Sequence, residues 1–363
     1  MTLTRLTSGA TPPSQGLATA GHILPIDSNP GRHVVLGRMA KTAKFLDQVV
    51  SHSASAVGTP VAAVKLARNI ARFLPRPDLT GFLPYWGALA ALDSVDLGVD
   101  KIIEPHLDAP NILDETGSPS TDDRSIWVVF AARSIWVVFA AEGSWHHLQT
   151  GSIDNNHRTL TGTEPRCSPT TILNNVIVTA HTETIRRACA VDLRQPGFSR
   201  AGSPWAACGL VEVPRRTLSF DEVAAIPIAD VGWSFDRPGS PWCGIGVAAI
   251  WHGAMFAIAR RLFEYCTART PGHITLLHLD EANADIHRSA IPLRIAAVEL
   301  GESGGASTQL TAVRTRAVVV VVVAKVEIVM AVAAHGLGPA PLTFEAEHAK
   351  RIADLSLCAR EDS

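Results

Sequence analysis

Polar and apolar positions change rhythm along this chain, and each rhythm predicts a different kind of element. From Arg32 to Phe73, apolar residues return at steps of three and four: Val35, Met39, Phe45, Leu46 and Val49, then Val61, Val64, Leu66, Ile70 and Phe73. That spacing predicts two helices split at Gly58-Thr59-Pro60, the second ended by Pro75 and Pro77. Gly87 to Leu113 predicts a further helix or two, broken before Pro105 and again at Pro110. The texture then becomes that of strands. Asn175–His181, Arg187–Leu193, Gly209–Val213 and Arg216–Phe220 are short apolar runs bounded by Pro, Gly or Asn, a spacing that predicts a small antiparallel sheet or barrel. After Cys243 no proline occurs until Pro271, and Ile245, Ala248, Ala249, Gly253, Phe256, Ala257, Arg260 and Phe263 mark a stripe on one long helix. Gly244, Gly246, Gly253 and many alanines would let other backbones approach it. The rest of the chain reads as helical apart from a loop at Gly301–Ser307.

These changes divide the sequence into a poorly ordered, Thr/Ser/Gly/Pro-rich start (1–30), an N-terminal helical domain (31–122), a middle antiparallel β-domain (123–231) and a C-terminal helical bundle (232–363). The expected class is α+β multidomain. Within the β-region the nonapeptide RSIWVVFAA occurs twice without a gap, at Arg124–Ala132 and Arg133–Ala141. Because nine is odd, a second copy in one strand would invert every later side chain. One copy is expected to pair and the other to bulge out. Ala317–Ala334 is about as long as a minimal membrane span, yet Lys325 and Glu327 lie within it. At roughly 2.5–3.5 kcal/mol each in mid-bilayer, they favour a buried bundle helix, although six consecutive valines are poor helix formers.

Composition narrows the function. A net charge of −2, with 18% charged residues, leaves no electrostatic footprint for nucleic acid. The six cysteines are scattered without metal spacing, as expected of reduced core thiols in a cytoplasmic protein, and no apolar signal run opens the chain. Gly244-Ile245-Gly246-Val247-Ala248-Ala249 fits a dinucleotide fingerprint but follows Pro-rich sequence where a parallel strand is needed. Gly301-Glu302-Ser303-Gly304-Gly305 has the form of a nucleophile elbow, with Asp354 and His335 or His348 as partners, and supports a remote serine-hydrolase reading at Ser303. His146 and His147 are adjacent and would face opposite ways on a strand. Asp221-Glu222 read as the end of a strand, and Asp280, Glu281 and Asp285 with Arg288 as a solvated helix face.

Several stretches resemble one family. EPHLDAPNIL (104–113), IWVVFAAEG (135–143), LTGTEPRCS (160–168), AVDLRQPGFS (190–199), RTLSFDEVAAIP (216–227) and HGLGPAPLTFEAEHAKRIADLSL (335–357) look like successive landmarks of the acyl-CoA dehydrogenases. The α–β–α order agrees. The resemblance implies a flavoprotein oxidoreductase with FAD between the sheet and the C-terminal bundle, commonly that of a neighbouring subunit. It also implies a homodimer or homotetramer, an acyl-CoA substrate, a separate electron acceptor and a place in fatty acid metabolism. Carried over by position, Ala141, Glu142 and Ser168 would line the flavin and Arg269 would meet its pyrophosphate. Such chemistry needs a carboxylate to take a proton next to the thioester carbonyl, and register with Asp354 puts that position at Asp362, beside Glu361. The departures are specific. Glu164 and Arg166 stand where the family has Lys and Trp, Ala141 replaces a threonine, and the last helix is followed by only a few residues, as in a truncated bundle. The alternative is a decayed member without turnover.

Overall fold

The computed structural model describes residues 40–74, 77, 81–116, 127–130, 148–152, 157–167, 174–181, 186–201, 206–213, 216–228, 230, 233, 237, 239–304 and 309–360. Among the described residues four helices of a dozen residues or more come first: α1 (Ala40–Ala54), α2 (Pro60–Phe73), α3 (Phe82–Val95) and α4 (Leu97–Glu115). The split at Gly58-Thr59-Pro60 is where the sequence puts it, with Pro60 opening α2, a position whose missing N–H is unpaired anyway. The breaks expected at Pro105 and Pro110 are absent, because α4 runs through both. Each proline removes one backbone hydrogen bond, and the burial of Ile102, Ile103, Leu107, Ala109, Ile112 and Leu113 along the helix outweighs the loss. The true break lies at Asp96, extended at φ −159°, whose side chain accepts a hydrogen bond from the Val99 N–H at 3.0 Å as the cap of α4.

Seven strands follow: β1 (Trp127–Phe130), β2 (Gln149–Ser152), β3 (Arg158–Cys167), β4 (Asn175–His181), β5 (Arg186–Asp192), β6 (Phe198–Ala201) and β7 (Arg216–Pro227). The pairings β4–β2–β3–β7–β5 return to β4 and close a five-stranded ring, with β1 and β6 attached outside it. The sheet is mixed, not antiparallel as expected, because β1 and β2 both run parallel to β4. β1 belongs to the first copy of RSIWVVFAA; the second copy lies outside the described residues. Leu148, Leu160, Val176, Val178, Cys189, Val191, Leu218 and Phe220 fill the ring. The other face of β4 and β5, with Ile177, Ala188 and Ala190, rests on Ala109, Ile112 and Leu113 of α4. β4 is therefore buried on both sides, which is why NVIVTAH is apolar without alternation.

Two local expectations fail here for identifiable reasons. Gly209–Val213 is a turn instead of a strand, since the Leu210 N–H is held at 2.6 Å by the Asp354 carboxylate and the Val213 N–H by the Leu210 carbonyl. Asp221-Glu222 lie inside β7, not at its end. Pairing with β3 steps from Leu160↔Val223 to Gly162↔Phe220, so two residues oppose one in a β-bulge, with Glu222 at φ 51°.

The last five helices are α5 (Ser240–Thr267), α6 (His273–Glu302), α7 (Gln309–Leu337), the short α8 (Ala340–Phe344) and α9 (Ala346–Cys358). α5 is buried on every side instead of along one stripe: Trp242, Ile245, Ala249, Ile250, Trp251, Ala254, Met255, Ile258 and Leu262 all lie in the core. A Cβ on Gly246 would touch Leu89 at 3.2 Å, and one on Gly253 would collide with the Ala90 carbonyl. The glycines of the dinucleotide-like motif thus serve helix packing, within a helix that begins before them. The helices before the sheet and those after it share one continuous core, tied by the Trp86 indole N–H donating to the Trp242 carbonyl at 3.1 Å.

α7 corrects the reading of the valine run. It is a helix, with Val318, Val322, Val326, Val329 and Ala333 buried at steps of three and four, but Val313, Val320, Val321 and Ile328 face outward. Asp285, expected on a solvated face of α6, is buried and pairs with Arg288 at 2.8 Å and with Lys325 of α7 at 3.1 Å.

Candidate functional site

The C-terminal half of α4 lies against the sheet while its N-terminal half lies in the helical core, so its middle faces the junction of the layers. Asp108 and Glu115, two turns apart on this helix, fall on one face. Arg237, in the segment leading into α5, donates to both: its guanidinium lies 3.2 Å from Asp108 Oδ2 and 3.1 Å from Glu115 Oε1. The Gly239 N–H, at the start of α5, donates to Glu115 Oε2 at 3.3 Å, so a carboxylate from α4 caps α5. Cys243, in the first turn of α5, donates its thiol hydrogen to Asp108 Oδ1 at 2.7 Å and receives the Arg237 guanidinium at 3.1 Å. The buried Tyr85 of α3, hydrogen-bonded to Asn111, completes the cluster.

Burial sets the protonation of these groups. It pushes the Cys243 thiol well above its ordinary range, and the neighbouring Asp108 carboxylate adds to the shift. The sulfur is therefore a thiol that donates, not a thiolate. Tyr85 is raised by burial, then by Cys243 and Asp108, and stays a neutral phenol. Burial raises the Glu115 carboxyl against the opposing pull of Arg237. Burial alone would lower Arg237, but Cys243, Asp108 and Glu115 hold it above its ordinary value. The result is a guanidinium bridging two carboxylates, with a polarised thiol on one of them. Among these three charged side chains, Asp108 is the least enclosed at 13% exposed.

The site residues carried over from the family fall elsewhere. Ala141, Glu142 and Ser168, and the base candidates Glu361 and Asp362, lie outside the described residues, as do His146 and His147. Glu164 is described, and is buried in β3. Arg269 follows the C-terminal end of α5, exposed, its guanidinium stacked 3.8 Å over the Tyr265 ring. No carboxylate pairs with it among the described residues, which leaves an oriented cation suited to a phosphate. Cys243 and Arg269 stand near opposite ends of α5, about 39 Å apart at the helical rise. One flavin cannot span both on a single copy of α5.

The hydrolase constellation does not assemble. The Ser303 hydroxyl donates to the Leu300 carbonyl at 3.1 Å at the end of α6. Asp354 is engaged by Lys350 at 2.6 Å and by the Leu210 N–H. His335 stacks near His278, ring centres 5.6 Å apart. Another histidine that sequence reasoning passed over, His252 of α5, is buried and lowered to about 4 by desolvation and then by Arg294. Its Nδ1–H donates to Ser289 Oγ at 2.8 Å, because that hydroxyl spends its own hydrogen on the Ile286 carbonyl.

No family model matches the chain, and no curated protein matches it by sequence. Its fold does match solved structures over most of its length. Butyryl-CoA dehydrogenase from Megasphaera elsdenii superposes with a TM-score of 0.72 at 16% identity, covering 90% of this chain and 95% of that one. FMN-bound TdsC from Paenibacillus sp. A11-2 gives 0.73 at 13%, covering 89% and 94%. KijD3, in complex with FMN and a dTDP-linked amino-keto sugar, gives 0.70 at 12%, covering 92% of each chain. The resemblance read from scattered sequence landmarks holds at the level of architecture: this chain has the acyl-CoA dehydrogenase fold.

Proposed function

We propose that the protein is a flavoprotein oxidoreductase that dehydrogenates an acyl thioester between its α and β carbons. The observation carrying this reading is the buried Asp108–Arg237–Cys243 cluster, set where α4, the sheet side and the start of α5 meet in a fold shared with butyryl-CoA dehydrogenase. Bound flavin, FAD on the family resemblance, supplies a two-electron acceptor. Arg269 fits the pyrophosphate of such a cofactor, being exposed, oriented by Tyr265 and free of a carboxylate partner among the described residues. The cluster supplies what α-proton removal requires: an oriented carboxylate in a place poor in water.

The separation of Cys243 and Arg269 along α5 supports assembly as a homodimer or homotetramer, in which Arg269 of one copy serves the cofactor held beside another copy's sheet. The outward apolar residues of α7 and of α6 (Ile291, Ile295 and Val298) supply surface for that assembly. Electrons would leave the reduced flavin for a separate acceptor.

The test is purification and a visible spectrum. Flavin absorbance that bleaches anaerobically on adding a saturated acyl-CoA, with FAD released on denaturation, is the expected result. A coloured protein that no acyl-CoA bleaches would overturn the thioester reading, and a colourless soluble protein unable to take up FAD or FMN would mark the chain as a decayed member.

A further inference from the structure

We infer that the outer face of α7 is a self-recognition seam, along which two copies of the chain pair antiparallel about a two-fold axis level with Val322. α7 carries two apolar stripes on opposite sides, and the fold uses one. The inner stripe, Val318, Val322, Val326, Val329 and Ala333, is buried in the bundle. On the outer side Val313, Ala317, Val320, Ala324, Ala331 and Ala334 are all exposed, and Glu327 holds the remaining position. These places follow one another by alternating steps of four and three, a heptad repeat sustained for three heptads over about 32 Å of helix. Such a repeat marks a helix that meets another helix, and no element covers it among the described residues. The Glu299–Arg314 and Asp285–Lys325 pairs set α6 antiparallel beside α7, so the exposed Ile291 and Ile295 widen the face near Val320 and Ala317.

Size and charge select the partner and its direction. A parallel pair would put Glu327 against the same carboxylate of the partner, and would stack valine on valine and alanine on alanine in alternating tight and loose layers. Turned antiparallel about the level of Val322, the seam matches itself. Val320 meets the partner's Ala324, Val313 the partner's Ala331, and Glu327 the partner's Ala317. Valine then faces alanine in the apolar layers, which close helix packing favours. Glu327 also comes beside the partner's Arg316. Glu327 is 63% exposed and stands 3.7 Å from Arg360, so it has room for a second cation, and Arg316 is exposed next to Ala317. The two-fold axis makes that ion pair twice. A seam of this kind fits a second copy of itself better than a lipid surface, which would have to take up Glu327. It gives the assembly proposed above a symmetry and a register, and needs neither flavin nor Arg269.

Sedimentation equilibrium of the full chain, without and with flavin, tests the seam. Wild-type protein is expected to associate in both states. Glu327→Arg and Arg316→Glu are each expected to weaken association about tenfold, since each reversal replaces two attractions by two repulsions. The double reversal is expected to recover most of the loss, which charges outside an interface would not do. Direction is read by cross-linking in a Cys208→Ser background, which removes an exposed native thiol. Val313→Cys/Ala331→Cys is expected to join two copies on mild oxidation, whereas Ala331→Cys alone is not, because the antiparallel seam holds the two 331 positions about 27 Å apart along its axis. Cross-linking by Ala331→Cys alone, or no rescue by the double reversal, overturns the antiparallel seam. A wild-type monomer at high micromolar concentration overturns it too, and one that floats with phosphatidylglycerol vesicles gives this face to lipid instead. Bleaching by acyl-CoA is scored separately: a monomer that bleaches removes the seam and keeps the thioester reading, and an associating, charge-rescued protein that no acyl-CoA bleaches does the reverse.

Discussion

Among the described residues, two helices are long and apolar enough to cross a membrane, and the fold treats them in opposite ways. In α5, 89% of an 18-residue apolar window within Pro241–Thr267 is buried; in α7 the matching window within Thr311–Leu337 is the more apolar and only 28% of it is buried. Hydropathy therefore does not decide which helix becomes the core. Side-chain size and branching do. α5 carries glycines and alanines where the α3 backbone comes close, so neighbours can pack around its whole circumference. α7 is built from valines, whose branched side chains keep partner backbones at a distance. It rests one face on the bundle, pins itself through Lys325 to Asp285, and turns Val320 out at 66% exposed.

The contrast predicts unequal effects of small changes. Gly253→Ala, a single methyl on α5, drives a Cβ into the Ala90 carbonyl and should cost about 3 kcal/mol, read as a lower urea midpoint. An unchanged midpoint would break the claim that α5 is sized for close approach. The buried His252 should give α5 a pH dependence of similar size. Its folded pKa, about 4, lies below the ordinary 6.5, so the unfolded chain binds the extra proton between these values. Stability should fall as pH drops from about 6.5 to 4, by up to about 3 kcal/mol from this group. His252→Gln should flatten the melting temperature across that window. On α7 the two faces should separate. Val326→Ala, on the inner face, should cost about 2 kcal/mol. Val320→Lys, on the outer face, should stay within about 0.5 kcal/mol for the isolated subunit yet weaken assembly, seen as smaller particles in sedimentation. Equal destabilisation by both would show α7 to be enclosed all round.

Much of this architecture was legible from side-chain rhythm. The helix break at Gly58-Thr59-Pro60 and strand β4 fall where the pattern put them, because local turn chemistry and burial agree there. α4 was misread because two prolines outvoted a buried face that only the assembled sheet and bundle provide. That error hid the site, since Asp108 and Glu115 share a face only if the helix is unbroken. Cys243 and Arg237 were illegible for a related reason: nothing in a single sequence says that a residue at the start of one helix meets a carboxylate on another, 135 positions away. The bulge at Asp221-Glu222 escaped because its cause is a mismatch of length with β3, a property of two strands together. Arg269 was singled out through resemblance alone; the structure puts its guanidinium over the Tyr265 ring, and its role toward a cofactor belongs to the proposal.

The Trp86–Trp242 tie, 156 positions apart in sequence, has a consequence for biosynthesis. At roughly 5–20 residues per second on the ribosome, the apolar surface of the first helices waits on the order of ten seconds or more before α5 exists to cover it. The early nascent chain is thus a natural client for chaperones, and a synonymous change that slows translation between these two tryptophans would lengthen that exposure without altering a single residue.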